Sequence, residues 1–281
     1  MYSWRIIRDK LFIAVVVALS VLPMFLVIHV VYTVVANGIS VLEKAGIKFL
    51  VETPPPPVAI RIGGIAPSII GSFLVVLISL PITTAISLPL AILYIEFPYN
   101  PLTKLIDVVG RSFASIPTII VSMVIYLLIV VPMGKPSIIA AALALSIVSI
   151  PYAYTVFSTV LSQVPSIYRE AAFGTGLNRF QTVIRVVLPI AKKGLLTGVL
   201  LTFARSMGET AALLFTIGGF RDYVTLNPTE PSDALPLLIF QFASTPFRIY
   251  HEIAWGACFV LLVIYLLVFT VTKVLAREVK L

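Results

Sequence analysis

The chain has 281 residues, of which 59% are hydrophobic and only 11% charged, with a mean hydropathy of +1.09. Soluble domains carry about 25% charged residues, so an ordinary soluble fold is excluded and a polytopic membrane protein is expected. The net charge of +8, from 20 Lys+Arg against 12 Asp+Glu, would suggest a nucleic acid partner in a soluble chain, so its distribution has to be read first.

Runs free of Asp, Glu, Lys and Arg cover residues 11–42, 62–95, 112–134, 136–168 and 253–272, and a further run, 194–220, is broken only by Arg205 and Glu209. Each reaches the length that spans a bilayer, about 20 residues. They predict six transmembrane helices in a single all-α permease-sized domain over residues 1–281. The first run follows Arg5, Arg8 and Lys10, and a signal peptide with small residues at Val34 and Ala36 is the competing reading. Its 32 uncharged residues exceed a signal core of about 7–15 and favour an uncleaved helix. The next segment, 37–63, is a proline-rich outer loop in which Pro54 to Pro57 favour a stiff polyproline spacer. Pro67, Pro81 and Pro89 then predict a kinked second helix, because each lacks an N–H and crowds the preceding turn.

Lys and Arg resist translocation and collect in cytoplasmic segments. With both termini cytoplasmic, that side holds 13 of the 20 basic residues, including Lys280 near the C-terminus, and the outer side holds six; Arg205 lies in the membrane. The acidic residues divide so evenly that the whole +8 falls on the cytoplasmic side. Topology and attraction to anionic lipid therefore account for the charge, and no nucleic acid partner is needed.

Catalytic constellations are scarce. His29 and His251 have no second His, Cys or carboxylate at ligand spacing, and the single Cys258 excludes a disulfide framework or a thiolate cluster, so no metal site is expected. Gly134, Lys135, Pro136 and Ser137 resemble the end of a phosphate loop, but the upstream glycine is missing and a proline interrupts the helix start. No nucleotide or other cofactor is expected on this chain.

The cytoplasmic stretch 165–190 carries the most information. Pro165 suits a first helical turn, Gly174 and Gly176 suit a stop, and Asn178 suits the N-cap of a second helix running to Pro189. Ala171 and Ala172 would leave a flat face flanked by Tyr168, Phe173 and Phe180. By physics alone this is either a docking helix or an amphipathic hairpin on lipid. Glu170, Ala171 and Ala172, then Gly176, then Val186, Leu188 and Pro189 resemble the EAA loop of ABC importer permeases in every spacing, with Val186 for the usual isoleucine. The resemblance implies a type I, MetI-like permease whose loop, from Tyr168 and Arg169 through Glu170 to Gly176, couples to a cytoplasmic ATPase dimer. ATP and Mg would be bound by that partner, and this chain would be no enzyme.

A second resemblance concerns the run RSMGETAALLFTIGG from Arg205 to Gly219. It is similar to the phosphate importer permeases, especially the PstA type of the PstA and PstC pair, with Ala212 replacing an expected proline. Further echoes are GGIAPSIIGS from Gly63 and ALPLLIFQFASTP from Ala234. They imply a PstC-like second permease, an extracytoplasmic phosphate-binding protein and residence in a prokaryotic inner membrane. Residues 234–247 are uncharged but too short for a span and fit a re-entrant or interfacial element.

If 194–219 is one helix, Thr202, Arg205, Ser206, Glu209 and Thr210 fall at i, i+3, i+4, i+7 and i+8 and form one polar stripe. Each mid-membrane charge costs about 2.5–3.5 kcal/mol on insertion scales. Either Arg205 and Glu209 pair at i,i+4 and fix packing, or the stripe lines a translocation path; Gly194 and Gly198 permit a close neighbour either way. An arginine fork suits an oxyanion, and a carboxylate accepts from the protonated oxygen that phosphate carries and sulfate lacks. Permeation of sulfate, molybdate or tungstate, or ion-coupled secondary transport, are the alternatives.

Overall fold

A computed structural model describes residues 2–277; Lys280 lies outside the described residues. The helices are α1 (Tyr2–Ala45), α2 (Ala66–Glu96), α3 (Pro101–Ala114), α4 (Thr118–Met133), α5 (Ile138–Ser162), α6 (Ser166–Gly174), α7 (Arg179–Met207), α8 (Leu235–Ala243) and α9 (Arg248–Arg277). Extended pairing among the described residues is limited to an isolated bridge between Gly218 and Ser232.

Five helices, α1, α2, α5, α7 and α9, are long and apolar enough to cross a bilayer, and α4 is a shorter apolar helix. The expected span at 112–134 is thus divided. Helix α3 starts well before the uncharged run, because the Asn100 side chain accepts from the Leu102 amide and Pro101 takes the first turn. The chain then breaks at Ser115 to Pro117, and α4 begins afresh.

Helices α2 and α5 form the centre of the bundle. Ser79, Thr83 and Ser87 recur every fourth residue of α2 and are all buried. Their small side chains allow close approach, and hydroxyls bridge the helices: Thr83 Oγ1 donates to the Ser146 carbonyl at 3.5 Å, Ser87 Oγ to that of Ile150 at 3.2 Å, and Ser146 Oγ to that of Ser79 at 3.2 Å. These bonds lie in the stretch where Pro81, Pro89 and Pro151 withhold backbone donors. Val75, Ile138, Leu145, Met207 and Leu237 complete the apolar core beside them.

Gly194 and Gly198 seat α7 on α5: a Cβ on Gly194 would lie 2.7 Å from Val160 Cγ1, and one on Gly198 3.1 Å from Phe157 Cε1. Contrary to the expected stop at Pro189, α7 runs on to Met207. A π-helical turn over Val183–Val187 precedes the proline, with the Leu188 amide bonded to the Val183 carbonyl. The same device, Tyr126–Val130, precedes Pro132 in α4. Widening the turn accommodates a residue that lacks an N–H and crowds the carbonyl behind it, so the helix continues.

The proline segment is irregular over a shorter stretch than 37–63, because α1 extends to Ala45 and a single turn, Lys48–Val51, follows. Its ends are fastened together: the amides of Gly64, Ile65 and Ala66 donate to the carbonyls of Thr53, Phe49 and Glu52 at 3.0, 2.9 and 3.0 Å. Within residues 234–247, Leu235–Ala243 form the short helix α8, whose Leu235, Leu237, Leu238 and Phe242 are buried. Gly134, in the left-handed region, ends α4, and Ser137 N-caps α5 by accepting from the Ala140 amide, so the phosphate-loop look-alike serves as a helix junction.

Candidate functional site

The segment 165–190 folds as two helices joined by a tight turn. Helix α6 ends in a Schellman arrangement: the Leu177 amide donates to the Ala172 carbonyl at 3.2 Å and the Gly176 amide to that of Phe173 at 2.9 Å. This requires a left-handed residue, and Gly176 supplies φ of +86° with open space around it. Asn178 then starts α7 through a reciprocal capping box with Gln181. Tyr168, Glu170, Ala171, Phe173 and Phe180 are exposed, whereas Ala172 turns into the bundle. Leu188 and Pro189 lie within α7, the first half-buried and the second exposed.

Arg169 stands apart from its exposed neighbours. Its Nη2 lies 2.6 Å from Glu96 Oε1 and its Nε 3.0 Å from Oε2, a bidentate pair with side chains only 18% and 5% exposed. The same guanidinium donates to the carbonyls of Val164 at 2.6 Å and Leu161 at 3.1 Å. Arg179 Nη1 donates to the Glu96 carbonyl at 3.1 Å and its guanidinium lies 5.8 Å from the Phe97 ring centre. The last residue of α2 is therefore clasped by both helices of the loop. Sequence reasoning missed Glu96; the available signal was its position as the charge that ends the second apolar run.

The polar stripe expected on one helix is split. Helix α7 ends at Met207, where the Gly208 and Glu209 amides make i→i−3 bonds to the Arg205 and Ser206 carbonyls, both at 3.2 Å, so Glu209 and Thr210 lie beyond the helix. The Tyr265 hydroxyl occupies the place a side chain at Gly208 would need. The chain then folds back: Ala212, Leu213, Thr216 and Ile217 are buried, and the Thr216 carbonyl accepts from the Ser137 amide at the start of α5 at 3.0 Å. Non-helical backbone is tolerated at membrane depth when protein covers it in this way.

Thr202 and Ser206 face the interior, where Thr202 Oγ1 donates to the Gly198 carbonyl at 2.9 Å and Ser206 Oγ lies 3.1 Å from Ser149 Oγ. Arg205 points the other way. It is exposed, lies 4.8 Å from the Tyr152 ring centre, and lines a recess of about 320 Å³ with Tyr152, Thr155, Thr118 and Phe113. Among the described residues no ion pair joins Arg205 to Glu209. The i,i+4 pairing is thus overturned because the helix that would create the spacing stops between the two residues.

A second network missed from the sequence lies at the opposite end from α6. Asp233 is fully buried; Arg221 meets it through Nε at 2.7 Å and Nη2 at 3.1 Å, and Ser68 Oγ donates to it at 2.5 Å. The Leu235 amide donates to Ser72 Oγ at 2.8 Å, and the Asp233 backbone lies against Gly71. Three segments singled out in the sequence, 63–72, 205–219 and 234–246, thus converge through the short connection carrying Arg221 and Asp233.

Residues 84–281 match the family described as binding-protein-dependent transport system inner membrane component. The chain is 36% identical over 269 residues to a probable phosphate transport system permease protein PstA of Methanocaldococcus jannaschii, covering 94% of this chain and 92% of the relative. It is 32% identical over 268 residues to the phosphate transport system permease protein PstA of Pasteurella multocida, covering 95% and 94%. The fold is similar to that of a chain of the MetNI methionine ABC transporter in inward-facing conformations, with TM-score 0.62 at 19% identity over 76% of this chain and 96% of that one. An amino acid ABC transporter gives TM-score 0.58 at 18% identity, covering 76% and 93%.

Proposed function

Because the chain belongs to the family of binding-protein-dependent transport system inner membrane components, we propose that it is the multi-pass transmembrane subunit of an ATP-driven importer carrying inorganic phosphate into the cytoplasm. The observation that carries the importer reading is α6: the EAA segment is a short helix held out at one end of the bundle, with Glu170, Ala171 and Phe173 open to a partner. Phosphate as cargo is supported by the names of the relatives.

In this reading both termini and α6 face the cytoplasm, in keeping with the positive-inside count. An ATPase dimer docks on α6 and binds the ATP and Mg²⁺; this chain binds neither and hydrolyses nothing. A PstC-like permease covers the open face of Arg205, and an extracytoplasmic phosphate-binding protein delivers cargo at the opposite end. Lipid surrounds the remaining apolar surface. Arg205 attracts the anion as a guanidinium fork on the path between the two permeases. Glu209 and Thr210, beyond the end of α7, shape that path, with Glu209 accepting from a protonated phosphate oxygen, while the buried Thr202 and Ser206 back it from the interior side of α7. Binding and release of ATP then alternate the access of the path by moving α6.

The test is uptake by the complete importer in liposomes. Arg205→Gln is expected to abolish phosphate uptake while all subunits still co-purify, and competing phosphate, but not sulfate, molybdate or tungstate, is expected to reduce wild-type uptake. Loss of the assembled complex would instead give Arg205 a packing role, and equal competition by the other oxyanions would remove phosphate selectivity.

A further inference from the structure

Helix α2 is fastened at both of its ends by bonds to charged side chains of other segments. At one end the Glu96 carboxylate is buried and gripped bidentately by Arg169 of α6, while Arg179, the first residue of α7, holds the Glu96 carbonyl. At the other end Ser68 bonds Asp233, Asp233 is held by Arg221, and Ser72 accepts from the Leu235 amide. Between these ends α2 runs for 31 residues against α5, which at 1.5 Å per residue is about 45 Å, enough to cross the whole bilayer.

Burying a carboxylate under an arginine is not an efficient way to add stability, since an apolar pair of the same size does as well or better. What a bidentate pair adds is a fixed geometry between two elements. A bond from α6 to lipid-facing surface or to a neighbouring loop would let α6 swing alone; a bond to the end of α2 does not.

We propose that Glu96 is a positioning residue that fastens the coupling helix α6 to α2, and that α2, fastened at its far end to Asp233, carries displacement between the ATPase-docking end and the opposite end of the bundle. The proposal rests on the reading of α6 as the ATPase dock. Arg169, although inside the EAA segment, belongs to this fastening and not to the docking surface. Traffic is two-way: occupancy at the Asp233 end biases the ATPase as ATP state biases the Asp233 end, because coupling between sites is reciprocal.

The experiment compares wild-type, Glu96→Gln and Ser68→Ala forms of the complete importer in liposomes, with ATP hydrolysis measured with and without the phosphate-loaded binding protein. Both variants are expected to keep the ATPase bound and to hydrolyse ATP at the unstimulated rate, but to lose stimulation by the binding protein and to lower uptake by about tenfold, within the range of ordinary site-to-site couplings. Wild-type stimulation and uptake in Glu96→Gln would overturn the proposal. Loss of the ATPase from Glu96→Gln would also overturn it, since the pair would then only shape the dock. Should Glu96→Gln fail to assemble, Glu96→Asp, which keeps the charge and shortens the arm by one methylene, decides: weakened stimulation supports the proposal, and unchanged stimulation or failed assembly overturns it. Failure of the Phe173→Cys form, otherwise unaltered at positions 68 and 96, to cross-link to any ATPase would sink the docking reading itself.

Discussion

Asp233 has no exposed surface, and its carboxylate is tolerated inside the bundle because Arg221 meets both oxygens and Ser68 donates to one of them. Removing one member of such a pair leaves the other charge buried and unpaired, at a cost of about 3–5 kcal/mol. Asp233→Ala is therefore expected to lower the thermal stability of the detergent-solubilised protein sharply, and Arg221→Ala likewise. Arg205 offers the contrast. It is exposed and rests on Tyr152, so Arg205→Gln should leave the melting temperature close to wild type while removing transport. In the sequence Arg205 interrupts an apolar run and Arg221 ends it; burial and partners are what show Arg221 to be held by Asp233 and Arg205 to be open.

At the scale of elements, α6 and its turn make the clearest prediction. Gly176 adopts φ of +86° with nothing near its missing side chain, so a substitution meets backbone strain and no clash, about 1–2 kcal/mol for a residue forced into the left-handed region. Gly176→Asp should keep the bundle folded but reorient α6 and uncouple ATP hydrolysis from uptake. Glu170→Lys, which reverses an exposed charge on α6, should weaken co-purification of the ATPase with little change in the stability of this chain. Unimpaired phosphate import in either variant would remove the docking assignment. Helix α7 shows the reverse lesson: the apolar run, broken only by Arg205 and Glu209, continues past Gly208 with its polar periodicity, yet the helix stops there because the Tyr265 hydroxyl packs on the glycine and Ala212, Leu213, Thr216 and Ile217 are buried elsewhere.

For the whole molecule, the orientation proposed from the basic residues is open to measurement. In a cysteine-free background made by Cys258→Ser, a cysteine at Thr229 should react with an impermeant maleimide added outside intact cells, whereas one at Phe180 should react only after the membrane is opened. Both positions are exposed in the structure. The opposite labelling pattern would invert the topology and with it the ATPase dock.

The amino-acid sequence by itself determined the membrane class, the approximate position of four of the six spans, the helix, glycine turn and N-cap of residues 165–190, and the close seat of Gly194 and Gly198. These are local or periodic properties, set by hydropathy, by the conformational freedom of glycine and by capping chemistry within a few residues. The tertiary structure alone decided the end of α7, the division of 101–133 into two helices, the outward aim of Arg205, and the pairing of Glu96 with Arg169 and of Asp233 with Arg221. Each joins or separates groups that no short-range pattern relates: Glu96 and Arg169 are 73 positions apart in the chain, and Ser68 and Asp233 are 165 apart. Which buried charge meets which donor is settled by how the helices pack, because only packing removes the water that would otherwise satisfy both.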